Sequence, residues 1–68
     1  MNKNFLTKRE KEIFDLLILN KSTKEISYDL NISEKTVRNH ISNVMQKLEV
    51  KTRSGAILEL IKLGEISL

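Results

Sequence analysis

No proline and only two glycines occur in 68 residues. An all-β domain of this length would need many more turn-forming residues, so the chain reads as all-α. Its size narrows the options further. A chain this short forms one domain at most and buries only roughly 60% of the surface its unfolded form exposes. There is no cysteine to form a disulfide, and a single histidine offers no zinc-ligand spacing. Idealised helix packing and pairing with a second chain are what remain to stabilise it. A helical chain of this size has little room for a pocket of about 300 Å³ or more, so neither an enzyme nor a cofactor is expected. With 40% hydrophobic and 31% charged residues, the composition is that of an ordered soluble domain. No apolar run approaches the roughly 18 residues of a membrane span. No signal-peptide core follows Met1-Asn2-Lys3-Asn4, so a cytoplasmic location is expected.

Four helices fit, over about 7–20, 22–30, 33–48 and 53–63. Thr7-Lys8-Arg9-Glu10 is a capping box, and Ser22-Thr23-Lys24-Glu25 is a second. Ile13, Phe14, Leu16, Leu17 and Leu19 give the first helix a broad apolar face, and Asn20 suits a left-handed terminating position. Ile26 and Leu30 are the buried pair of the second. Ser33 caps the third, with Glu34 in its first turn, where a carboxylate suits the helix dipole. Val37, Ile41, Val44 and Leu48 form a helical stripe along that segment. Thr52 caps the fourth, and Gly64 is placed to end it. Residues 1–5 are expected to be flexible, Asn2 to Asn4 frayed along with the last few residues, and 6–66 to form the domain.

Charge is concentrated. The net charge is +3, and residues 33–54 alone carry five basic groups (Lys35, Arg38, Lys47, Lys51, Arg53) against two acidic ones (Glu34, Glu49). A localised basic stripe suggests an anionic polymer as partner. At about 100° per residue, Lys35, Arg38, Asn39 and Ser42 cluster roughly 135° from the apolar stripe.

A short helix, a turn of about three residues and a longer helix with exposed Lys, Arg and Asn form a helix-turn-helix pattern, here over about 23–42. Such a second helix enters the major groove with its N-terminal half, where each base pair shows a distinct donor and acceptor pattern. Arg38 suits guanine O6 and N7, Asn39 suits adenine N6 and N7, and Ser42 is short enough to allow close approach. Thr23, Lys24, Lys35, Thr36, Lys47, Lys51 and Arg53 are candidates for phosphate contacts. His40, beside the apolar stripe, reads as a packing residue rather than a metal ligand. Tyr28 and Met45 read as core or rim, and Glu10, Glu12 and Asp15 as a solvated or capping face.

Several blocks, in order and spacing, resemble the LuxR/FixJ/NarL-type DNA-binding domain. They are Leu6 to Ile13, Lys24-Glu25-Ile26, Ser33-Glu34-Lys35-Thr36-Val37-Arg38-Asn39-His40-Ile41, Lys47-Leu48 and Val50 to Arg53. The resemblance covers about residues 5–66, and within the family it is nearest the standalone sporulation regulators that carry no sensory domain. It implies a four-helix domain that binds double-stranded DNA as a homodimer. The third helix would lie in the major groove, with Arg38, Asn39 and Ser42 at the base-reading positions, and the fourth helix (53–63) would be the dimer contact. Asn20 and Glu49 stand where the family usually has glycine, and Glu49 costs on the order of 1 kcal/mol if left-handed. Gly55 stands where a polar residue is usual, at up to about 1 kcal/mol against alanine.

Ala56, Ile57, Leu58, Leu60, Ile61 and Leu63 wrap nearly around the fourth helix, more apolar surface than one small domain can cover. Isologous pairing would bury it, with Ile57, Leu60, Ile61 and Gly64 as the expected interface. The expected function is a bacterial transcription regulator, associated with the nucleoid, with RNA polymerase as a further candidate partner. Two alternatives stand beside it. One is a truncated interaction module that pairs with related regulators and inhibits them. The other is a domain like region four of a sigma factor.

Overall fold

The same chemistry opens every helix. In the computed structural model, which describes residues 5–68, Thr7, Ser22, Ser33 and Thr52 each accept a hydrogen bond from the backbone N–H three residues on. The acceptor distances run from 2.9 to 3.1 Å, and each such cap contributes about 1 kcal/mol. Both capping boxes are complete, since Glu10 accepts from the Thr7 N–H and Glu25 from the Ser22 N–H. The resulting helices are α1 (Lys8–Leu17), α2 (Thr23–Leu30), α3 (Glu34–Leu48) and α4 (Arg53–Lys62). The all-α, four-helix expectation holds.

The same chemistry also closes them. Asn20, Asn31, Glu49 and Gly64 all lie in the left-handed region, with φ of 66°, 58°, 57° and 75°. Around each, one N–H bonds back three residues and the next bonds back five. The pairs are Asn20 to Leu17 with Lys21 to Leu16, Asn31 to Tyr28 with Ile32 to Ser27, Glu49 to Gln46 with Val50 to Met45, and Gly64 to Ile61 with Glu65 to Leu60. This is the Schellman termination, which satisfies otherwise orphaned carbonyls. Only one of the four sites is the glycine that relieves its strain. Two are asparagines, which tolerate it, and Glu49 bears the Cβ clash in full.

α1 is shorter than the expected 7–20. Its last turn tightens after Leu17, which leaves Leu19 at the corner and 67% exposed rather than on the apolar face. α3 is the central element and packs against each of the other three helices. The core joins Ile13 and Phe14 of α1, Ile26 of α2, Val37, Ile41 and Val44 of α3, and Ala56 and Leu60 of α4. Leu6 and Ile66, from opposite ends of the described chain, complete it. The C-terminal segment is therefore anchored, not frayed, up to Ile66. Glu65 accepts from the backbone N–H groups of Phe5 and Leu6 at 3.3 and 3.4 Å. Of the segment expected to be flexible, residues 1–4 lie outside the described residues, and Phe5 packs half-buried against the core.

Gly55 has a local reason. A Cβ there would lie 3.1 Å from Thr52 Oγ1, the hydroxyl that caps α4.

Candidate nucleic-acid interface

Three residues, Asn31 to Ser33, separate α2 from α3 and set the angle between them. The left-handed Asn31 reverses the chain, Ile32 packs partly into the core, and Ser33 starts the next helix. Ser33 Oγ accepts from the Thr36 N–H at 3.0 Å and donates to Thr36 Oγ1 at 2.9 Å. With Ile26 and Val37 fully buried on either side of this turn, α3 is fixed rigidly beneath its polar face.

That face is fully outward. Lys35, Arg38, Asn39 and Ser42 are exposed, while Val37, Ile41 and Val44 are sealed in the core. Thr36 and His40 are half-buried at the edges, His40 as its position beside the apolar stripe predicts. Asn43 and Gln46 are exposed as well, and the 100° wheel places them on the same side as Asn39. Continuing that wheel one turn beyond Ser42 finds both. Tyr28, read from sequence as core or rim, is instead 78% exposed, one turn after Lys24 on α2. Met45 packs half-buried against the core.

The cations divide into two groups. Arg9, Lys11, Lys21, Arg38, Lys47 and Lys62 lie within 4 Å of a carboxylate. Among the described residues, Lys24, Lys35, Lys51 and Arg53 are exposed without such a partner, and so is Lys8. Four of the seven residues expected to meet phosphate are thus un-neutralised cations. Thr23, half-buried, opens α2. Lys51 and Arg53 sit beyond the C-terminal end of α3, which by helix rise is about 15 Å or more along the axis from Arg38.

Lys47 differs from the rest of the expected phosphate set. Its ammonium donates to Glu10 Oε1 at 2.6 Å and to the Phe5 carbonyl at 3.3 Å, and it lies 5.4 Å from the centre of the Phe5 ring. Glu10 is the one buried charged residue among those described. Burial pushes its carboxyl up, but the hydrogen bond from Lys47, the Thr7 N–H and the charges of Lys47 and His40 together outweigh that. The carboxyl is held below its ordinary range. Lys47 therefore ties α3 to the start of α1.

Arg38 carries a different kind of pair. Its Nη1 lies 3.2 Å from Glu34 Oε1, one turn back, with both side chains roughly half exposed.

On α4, one part of the expected dimer face is corrected. Leu60 is wholly enclosed in the chain's own core, because its position shares a helix face with Ala56 against α3. Ile57 and Ile61 are half-buried at its margin, and Gly64 is exposed at the terminating turn. The outward apolar residue is Leu58, 54% exposed and about 160° around the helix from Leu60.

A helix-turn-helix with an un-neutralised basic rim and a rigid second helix with an outward polar face is the arrangement of a class of DNA-binding regulator. The comparisons with known proteins narrow the class. The family described as "Bacterial regulatory proteins, luxR family" matches residues 4–60, and the chain belongs to it. It is a GerE-like DNA-binding transcription regulator. The chain is 63% identical over 67 residues to the spore germination protein GerE of Bacillus subtilis (strain 168), covering 98% of this chain and 90% of that protein. The transcriptional regulatory protein DesR of the same organism is 54% identical over 54 residues, which span 79% of this chain but 27% of DesR. Among solved structures, the transcription factor GerE superposes with a TM-score of 0.93 at 65% identity, covering 96% of this chain and 97% of that one. The response regulator ChrA gives 0.86 at 32% identity, covering 97% of this chain and 33% of ChrA. Among the described residues, no helix is long and apolar enough to cross a membrane, and no cluster of metal-ligating side chains forms.

Proposed function

We propose that the chain binds specific double-stranded DNA as a homodimer, with α3 in the major groove. The observation that carries this reading is the outward face of α3. Lys35, Arg38, Asn39 and Ser42 are all exposed on a helix whose opposite face is locked in the core. Arg38 and Asn39 read base edges, and Ser42 permits close approach. Thr23, Lys24, Lys35, Thr36, Lys51 and Arg53 hold the phosphates, an assignment supported by the lack of a carboxylate partner, among the described residues, at Lys24, Lys35, Lys51 and Arg53. Lys47 is left out of the set, since its ammonium is already engaged by Glu10 and Phe5.

Pairing through α4 is supported by Leu58 with Ile57 and Ile61 beside it. These residues form an apolar strip on a domain too small to cover it. Half-sites read by such a dimer lie about one helical turn apart if its two-fold is shared with the DNA. The similarity to the spore germination protein GerE supports a cytoplasmic regulator of a sporulation programme, acting at promoters where RNA polymerase is a neighbour.

In vitro selection of bound duplexes, followed by titration of the selected duplex at rising salt, tests the reading. Affinity should fall steeply and log-linearly with salt, and a flat response would remove the phosphate contacts. Leu58→Glu should leave a folded helical spectrum and shift sedimentation to the monomer. An unchanged sedimentation profile would remove α4 as the dimer contact.

A further inference from the structure

We propose that Glu34 is a positioning residue for base readout, and that its carboxylate aims the Arg38 guanidinium into the groove. The inference rests on the reading of α3 as the recognition helix. Glu34 is the only acidic residue on α3 and stands at its leading end, the part expected to approach a polyanion most closely. A bare carboxylate there would repel phosphate. Glu34 is not bare: its Oε1 meets Arg38 Nη1 at 3.2 Å.

The geometry of that contact matters. Arginine carries five N–H donors in a planar fork. Glu34 engages Nη1, and the opposite edge formed by Nε and Nη2 stays free among the described residues. That edge presents the two parallel donors that match guanine N7 and O6. A long flexible side chain loses rotamer freedom when it docks, and a neighbour that already holds one edge reduces that loss. The Ser33 cap keeps the first turn of α3 in place, so the carboxylate is itself carried on fixed backbone.

A pair this exposed contributes little to folding. Its effect is expected in the complex, where the groove excludes water and charge interactions strengthen. Glu34 then acts twice. It favours the seated guanidinium on the correct base, and it disfavours non-specific binding, in which Arg38 leaves it for a phosphate.

A double-mutant cycle on the full 68-residue chain tests this. Fluorescence anisotropy gives Kd for a duplex selected from a random pool and for a scrambled duplex of equal length. The proteins are the unmodified chain, Glu34→Gln, Arg38→Ala and the double variant, with circular dichroism confirming their helix content. Glu34→Gln is expected to tighten binding to the scrambled duplex. It should also lower the selected-to-scrambled ratio by roughly three- to tenfold, in the range of coupling between touching residues. In the Arg38→Ala background the same change should leave the ratio unmoved. Three outcomes overturn the proposal. A shift of equal size on both duplexes would reduce Glu34 to a charge. A fall in the ratio that persists without Arg38 would make Glu34 a reader in its own right. A ratio indifferent to Arg38→Ala would remove Arg38 as a reader, and the failure would then lie with the base-readout assignment itself.

Discussion

α3 carries two ion pairs, and they differ in almost every physical respect. Arg38–Glu34 is local, four residues apart, and open to water at both ends, with side chains 53% and 41% exposed. Lys47–Glu10 spans 37 residues, is 2.6 Å long, and ends on a carboxylate whose side chain is only 5% exposed. Breaking the first leaves two solvated groups, whereas breaking the second strands a charge in the core. Two basic residues on one helix thus serve opposite ends, one free to meet a ligand and one committed to holding the domain together.

The contrast can be broken from the buried end first. Glu10→Ala should cost about 2–3 kcal/mol in urea unfolding, because it removes the ion pair with Lys47 and half of the α1 capping box. Sequence preference on DNA should survive in whatever fraction stays folded. Arg38→Ala should do the reverse, keeping stability within about 0.5 kcal/mol while losing about 1–2 kcal/mol of discrimination between duplexes.

Acid sharpens the same division. The folded Glu10 carboxyl lies below its ordinary value of 4.5, so its contribution is complete above that value and is lost as pH falls through the folded one. Chemical unfolding between pH 6 and about 3 should therefore show an acid limb that Glu10→Gln flattens. A third contrast lies at the end of α3. Glu49→Gly should stabilise the chain by about 0.5–1 kcal/mol, since the left-handed φ of 57° strains a Cβ there. The smallest effect is salt on the exposed pair. Raising ionic strength should remove only about 0.3–0.5 kcal/mol through Arg38–Glu34, measured as the loss of coupling in a stability cycle.

What could be seen in the sequence was whatever is local. Hydroxyl caps followed by Glu three residues on, the Val37–Ile41–Val44 stripe and the terminating Asn20 and Gly64 all act within about one turn of themselves, and they appear where expected. The exposed Arg38, Asn39 and Ser42 follow from the same stripe by simple rotation. Long-range facts were hidden. Nothing in Lys47 announces a partner 37 positions away, so it resembles any other basic residue of the basic stripe. Leu60 and Leu58 look alike on an almost wholly apolar helix, and only the packing of α4 on α3 shows that one is sealed and the other bare. Ile66 lay beyond the last periodic segment, where no pattern foretold its place in the core.

Phe5 rests beside the ammonium of Lys47, and Glu65 grips the amides of Phe5 and Leu6. Both ends of the described chain therefore leave from one pole, near the tail of α3 and about 13 Å along its axis from Arg38. A dye or tether carried at that pole would sit clear of Arg38, the side chain proposed to read bases.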